Sequence, residues 1–196
     1  METDLLTAAK KMDKDALVKI FDLYASPLYN YALRLCGDPC TADQIVGDVF
    51  ARLLDQLAAG KGPTSNLRAY LYEIAYHIFV DEKRSSHREA SLEALAPLTQ
   101  DVRSGWLRLE DRILFEAVVD AIQRDLTDDQ RHVVILRFLE GCSLLETAAI
   151  LGKEVSHIKV IQTRAIAKLR HAFESQEMRA ALSLPRLKER SAVLRI

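Results

Sequence analysis

Apolar residues recur every three or four positions along most of the chain, the spacing that gathers them on one face of an α-helix. Leu17, Ile20, Phe21 and Tyr24 make the first such stripe, over residues 15–25. Ser26 then reads as a cap with Pro27 in the first turn of a new helix, where its missing N–H costs nothing; this helix runs through Leu28, Tyr31, Ala32 and Leu35 to a stop at Gly37 and Pro39. Thr41 and Gln44 have the spacing of a capping box. They open a stripe of Ile45, Val46, Val49, Phe50, Leu53, Leu54 and Leu57, whose other face carries Asp43, Asp48 and Asp55. After the connector GKGPTSN, residues 60–66, with a cap at Ser65 or Asn66, a helix is predicted over residues 67–84. It carries Tyr70, Tyr72, Tyr76 and Phe79, which cannot all point one way. Some ring surface is therefore expected to be exposed beside Lys83 and Arg84, an arrangement suited to stacking on unpaired bases.

From residue 85 to about residue 104 the periodicity weakens and no strong helix is predicted, as in an interdomain linker. The pattern resumes over residues 107–126 with Leu114, Val118, Ala121 and Ile122 inward, and Thr127 with Gln130 makes another capping box ahead of Val133, Val134, Leu136 and Phe138. The sharpest pattern is SLLETAAILGKEVSHIKVIQTRAIAKL, residues 143–169. Ser143 and Glu146 form a capping box, so a helix starts near Leu144; Ala148 is small where helices must approach, and Gly152 is the residue able to take the left-handed conformation that ends a helix. Beyond the turn, Val155, Ile158, Ile161 or Gln162, Ala165 and Leu169 point inward. Ser156, His157, Lys159, Thr163 and Arg164 point outward and can donate to phosphates and base edges. Two short helices and a tight turn are a helix-turn-helix signature.

Charge sharpens this picture. The chain has a formal net charge of −1, yet residues 153–173 hold five Lys or Arg against one Glu, making this stretch the basic pole. Residues 91–130, just upstream, hold nine acids against four Arg. Apolar content of 49%, with only seven glycines and five prolines, favours an all-α protein with an ample core. No run of eighteen apolar residues is present and the first fifteen residues are charged, so a cytoplasmic protein without membrane insertion is expected. Cys36, Cys40 and Cys142 are odd in number and lie in no CxxC motif; buried or half-buried thiols are expected, and no metal or cofactor is implied. No catalytic constellation can be assembled.

Taken together, FDLYASPLYNYALRLCGD, TADQIVGDVFARLL and LRAYLYEIAYHIFVDEKR, followed by LTDDQRHVVILRFLEGCSLLETAAILGKEVSHIKVIQTRAIAKLR, resemble the bacterial sigma factors of the extracytoplasmic-function (ECF) type in the sigma-70 family. The first three blocks look like the family's region two and the last like region four. The resemblance implies two small helical domains joined by a flexible linker: residues 1–88, the linker 89–106, a helix-turn-helix domain 107–174 and a C-terminal extension 175–196. It implies a non-catalytic specificity subunit that binds RNA polymerase core and promoter DNA, with an anti-sigma factor as a further partner. On that basis Asp43, Gln44, Asp48 and Arg52 fall on the core-binding helix. Lys61, Ser65, Asn66, His77, Lys83 and Arg84 fall at the −10 element, and Ser156, His157, Lys159, Thr163 and Arg164 at the −35 element. The chain departs from the usual pattern at Gln44, Gly47, Glu73, Tyr76 and His77. A duplex-binding regulator, or a module that sequesters polymerase without opening promoters, is the alternative.

Overall fold

The computed structural model describes residues 2–89 and 109–183, with side chains described over residues 3–83 and 117–174. Helix α1 (Glu2–Lys10) turns through Met12, in the left-handed conformation, into α2 (Lys14–Cys36), which Asp13 caps by accepting from the Ala16 N–H at 2.9 Å. Helix α2 is continuous, so the expected break at Ser26 is absent and Pro27 lies inside the helix. A proline there removes one i to i−4 hydrogen bond. The unbroken buried stripe Ile20, Leu28, Tyr31, Ala32 and Leu35 offsets that loss by packing on α3 (Pro39–Ala58). Gly37 (φ 74°) ends α2 in the left-handed conformation, its N–H reaching the Leu33 carbonyl at 2.8 Å.

Helix α3 begins earlier than expected. Asp38, not Thr41, is its cap: the carboxylate accepts from the Thr41 hydroxyl at 2.6 Å and the Thr41 N–H at 2.7 Å, which holds its pKa below the usual range. Pro39, read as a stop, occupies the first turn instead. At the connector the cap is Asn66, with φ 50°, whose side-chain oxygen accepts from the Ala69 N–H at 3.1 Å to start α4 (Leu67–Glu89).

The second half comprises α5 (Leu109–Asp125), α6 (Asp128–Val134) running into a π-helical turn at Ile135–Leu139, α7 (Leu144–Ile150) and α8 (Val155–Ser183). Thr127 starts α6, its N–H reaching Gln130 Oε1 at 3.2 Å. Helix α8 continues unbroken past residue 174. The architecture is all-α: among the described residues there is no strand, and two helical units are present, the second containing the helix-turn-helix. The expected linker 89–106 lies, beyond Glu89, outside the described residues, as do residues 184–196 of the extension.

The two units share one apolar core. Leu28, Tyr31, Leu71, Tyr72, Ile78 and Phe79 from the first half join Ile122, Leu136, Ile150 and Ile158 from the second, with the Tyr31 and Tyr72 rings 5.1 Å apart near the junction. The aromatic helix divides its rings: Tyr72 and Phe79 are buried, while Tyr70 and Tyr76 are half-buried and keep part of their surface exposed. Among the described residues no helix is long and apolar enough to cross a membrane.

Candidate nucleic-acid interface

The helix-turn-helix is built from α7 and α8. Both halves of the capping box form: Glu146 N–H to Ser143 Oγ at 3.1 Å, and Ser143 N–H to Glu146 Oε2 at 2.7 Å. The Thr147 hydroxyl donates back to the Ser143 carbonyl at 2.9 Å. Gly152 (φ 59°) makes the turn, and the Glu154 carbonyl accepts the first helical bond of α8 from Ile158 at 3.0 Å. Ile158, Ile161 and Ala165 are buried, fixing the rotation of α8. Gln162, the other inward candidate, stands at the edge and accepts from Arg137 Nε at 3.2 Å.

That rotation leaves Ser156, His157, Lys159, Thr163 and Arg164 exposed. The Thr163 hydroxyl donates to the Lys159 carbonyl at 2.9 Å, so its free lone pairs can only accept. Lys153 does not join this face, because its ammonium pairs with Asp129 at 3.2 Å. Val160, 45% exposed, adds an apolar element that the charge pattern did not mark.

In the first half, Lys61, Ser65 and Asn66 are exposed on the connector and His77 is exposed on α4, its ring 5.4 Å from that of Tyr76. Lys83 turns to the other half: its ammonium donates to Asp128 at 2.8 Å and stands 5.4 Å from the Phe79 ring centre. Burial opposes ionisation of Asp128, yet the Lys83 pairing holds its pKa below the usual carboxylate range. Arg84 lies on α4, with its side chain outside those described.

A separate surface lies on α3, where Asp43, Gln44, Asp48 and Arg52 are all exposed. Next to them stands apolar ground assigned to the interior from periodicity. Phe21, 51% exposed, packs on Phe50 with ring centres 4.8 Å apart, and Leu54 is also exposed. Of the cysteines, Cys142 is buried and Cys36 half-buried, but Cys40 is exposed because α3 starts at Pro39 and turns it outward.

The junction holds polar groups that no periodicity marks. The Glu140 carboxylate, its side chain 7% exposed, accepts from Arg34 Nη1 at 2.7 Å and from the Tyr72 hydroxyl at 2.7 Å. Arg68 donates to the Glu140 backbone carbonyl, its guanidinium 5.6 Å from the Tyr72 ring centre. Nearby, the Tyr31 hydroxyl and His132 Nδ1 share a 2.9 Å hydrogen bond. The His132 ring lies edge-on to Tyr76 and Phe79, with centres 4.8 and 5.1 Å away. Burial pushes its pKa down to about 3, against the opposing pull of Asp128 and Asp129.

Family comparison covers both halves. The model for Sigma-70 region 2 matches residues 20–89 and that for Sigma-70, region 4 matches residues 124–171. The ECF RNA polymerase sigma factor SigX of Bacillus subtilis is 31% identical over 160 residues, covering 79% of this chain and 82% of SigX. The ECF RNA polymerase sigma factor BldN of Streptomyces coelicolor is 30% identical over 170 residues, covering 85% of this chain but only 63% of BldN, so this chain spans less than two thirds of that relative. Among solved structures, the sigma factor RpoE of Bartonella quintana, crystallised with the anti-sigma factor NepR, superposes with a TM-score of 0.63 at 25% identity, over 80% of this chain and 95% of RpoE.

Proposed function

The chain belongs to the sigma-70 family as an ECF-type RNA polymerase sigma factor, and from that premise we propose how its surfaces divide the work. The observation that carries the reading is the ordered pair of region matches, one at residues 20–89 and one at residues 124–171. It directs core polymerase to specific promoters. Region two, within residues 1–88, binds core and melts the −10 element; region four, within residues 107–174, reads the −35 element. The subunit contributes specificity and no covalent chemistry of its own, and it works in the cytoplasm with polymerase and promoters.

On region four, Ser156, His157, Lys159, Thr163 and Arg164 face the major groove. Their exposure on the N-terminal half of α8 supports that role, since a recognition helix presents this end to base edges. On region two, Asp43, Gln44, Asp48 and Arg52 meet core, with Phe21 and Leu54 supplying apolar contact beside the acids. Lys61, Ser65, Asn66, His77, Lys83 and Arg84 serve the opened −10 strand, for which flipping a base requires a receiving pocket. An anti-sigma factor is a further partner, supported by the complex in which the similar RpoE was solved.

The shared core has a mechanical consequence. The described helices of the two regions pack directly on one another, and the longest of them spans about 43 Å. Elements named −10 and −35 lie about 25 base pairs apart, roughly 85 Å of duplex at about 3.4 Å per pair. The two regions must part before both elements are held. Transcription in vitro with bacterial core polymerase, this chain and a pool of promoter fragments tests the reading. RNA starts that require the chain support it; co-elution with core but no starts would leave a polymerase-sequestering module.

A further inference from the structure

The groups that surround Glu140 are those that bind an oxyanion. Arg34 gives one carboxylate oxygen a charged N–H donor, the Tyr72 hydroxyl donates to the other, and the Arg68 guanidinium reaches the backbone carbonyl of the same residue. All three come from region two. Guanidinium groups accept phosphate in the same planar, paired fashion as carboxylate, and tyrosine hydroxyls are common phosphate donors. Arg68 also stands two residues beyond Asn66, the end of the connector already given to the −10 element.

The polarity of the junction repeats at other points. Both ion pairs described across it, Arg34 with Glu140 and Lys83 with Asp128, take the cation from region two and the carboxylate from region four. The Glu146 carboxyl, held below its usual range first by the Ser143 N–H and hydroxyl, is lowered further by Arg68 and by hydrogen bonding from Asn66. Three carboxylates of region four therefore lie against region-two groups at or beside the strand-binding surface. A buried ion pair is weak as a source of stability, since desolvation cancels much of its attraction. It is well suited to a junction that must come apart.

Resting on the sigma-factor reading, we infer that Arg34, Arg68 and Tyr72 form a phosphate-binding site for the opened promoter strand, and that the Glu140 carboxylate fills it in the closed chain as an internal stand-in for phosphate. Opening removes Glu140 and delivers the site to DNA. Region four thus masks the single-strand surface of region two until the halves separate, and the strand's own phosphates then replace the lost carboxylate. The site adds three residues to the −10 surface, of which Arg34 and Arg68 carry no mark in the sequence pattern.

The test uses the full chain and a fluorescein-labelled, 20-nucleotide single DNA strand of mixed sequence, followed by anisotropy. Glu140→Gln combined with Asp128→Asn keeps the shapes while removing two charges, and circular dichroism checks that the helices persist. The double variant should bind the strand about tenfold more tightly than the unaltered chain, and adding Arg34→Gln or Arg68→Ala should erase most of that gain. An unchanged affinity, or a gain that survives both arginine substitutions, overturns the assignment. A second measurement does not depend on the carboxylate variants. In holoenzyme with core polymerase, Arg68→Ala should cut permanganate reactivity of unpaired promoter thymines about tenfold while co-elution with core is unchanged. Full reactivity overturns the site alone, whereas absence of core-dependent starts with the unaltered chain would overturn the sigma reading itself.

Discussion

The Tyr31 hydroxyl and His132 Nδ1 meet at 2.9 Å across the junction, sealed from water, while His132 Nε2 is buried with no hydrogen-bond partner among the described residues. A second proton on this ring would place a charge among Tyr31, Tyr76 and Phe79, with Asp128, Asp129, Arg131 and Lys83 as the neighbouring charged groups. The closed arrangement therefore holds His132 neutral.

This gives the closed form a pH dependence of definite sign. An exposed histidine titrates near 6.5, whereas burial lowers His132 to about 3. Between those values the open form binds more protons, so closure is fully favoured well above pH 6.5 and weakens as pH falls towards 3, by on the order of 1 kcal/mol per pH unit. Small-angle scattering should show the radius of gyration rising between pH 7.5 and 5.5 while helix content holds. In His132→Phe this part of the pH response should vanish; an identical response in that variant would remove His132 as its source.

On region four, Lys159→Ala and Arg164→Ala should each weaken holoenzyme binding to a −35 duplex. Each should also flatten the plot of log affinity against log salt by about 0.9, the value for one lost phosphate contact. Equal slopes in variant and unaltered chain would take that residue off the DNA.

For core binding, Asp48→Arg should reduce co-elution with polymerase at least tenfold without changing helix content, because Asp48 is exposed on α3 and buries nothing. Phe21→Ser should act in the same direction, since half of its surface is free to meet a partner. Normal co-elution of both variants would move the core contact elsewhere.

The cap of the helix-turn-helix is open to a stability measurement. Ser143→Ala removes the acceptor of the Glu146 N–H and should cost about 1 kcal/mol, with Ser143→Gly nearer neutral. Denaturant unfolding in which Ser143→Ala matches the unaltered chain would show that the first turn of α7 needs no such support.

Legibility followed the range of the interactions. The helix-turn-helix was readable to the residue because Ser143, Glu146 and Gly152 act within their own turn, and the buried face of α8 follows its own period. Local rules misled where tertiary packing outweighed them. Ser26 and Pro27 look like a helix start, but the stripe from Ile20 to Leu35 packs as one. Thr41 looks like a cap, but Asp38 captures its hydroxyl and N–H first. The Glu140 cluster was invisible because Tyr72 and Arg34 lie 68 and 106 residues away in sequence. Only the folded chain brings them together.

Helix α8, uninterrupted for 29 residues, is about 43 Å long, far longer than the recognition turn it begins with. It is a lever arm with its fulcrum at the hairpin. A tilt of about 20° at the DNA end sweeps the distal end through roughly 15 Å, by simple geometry on a rod of that length. On the proposed reading of the recognition helix, a grip on its last turns, far from any base, would exert torque on the angle at which Ser156 and Arg164 approach the groove.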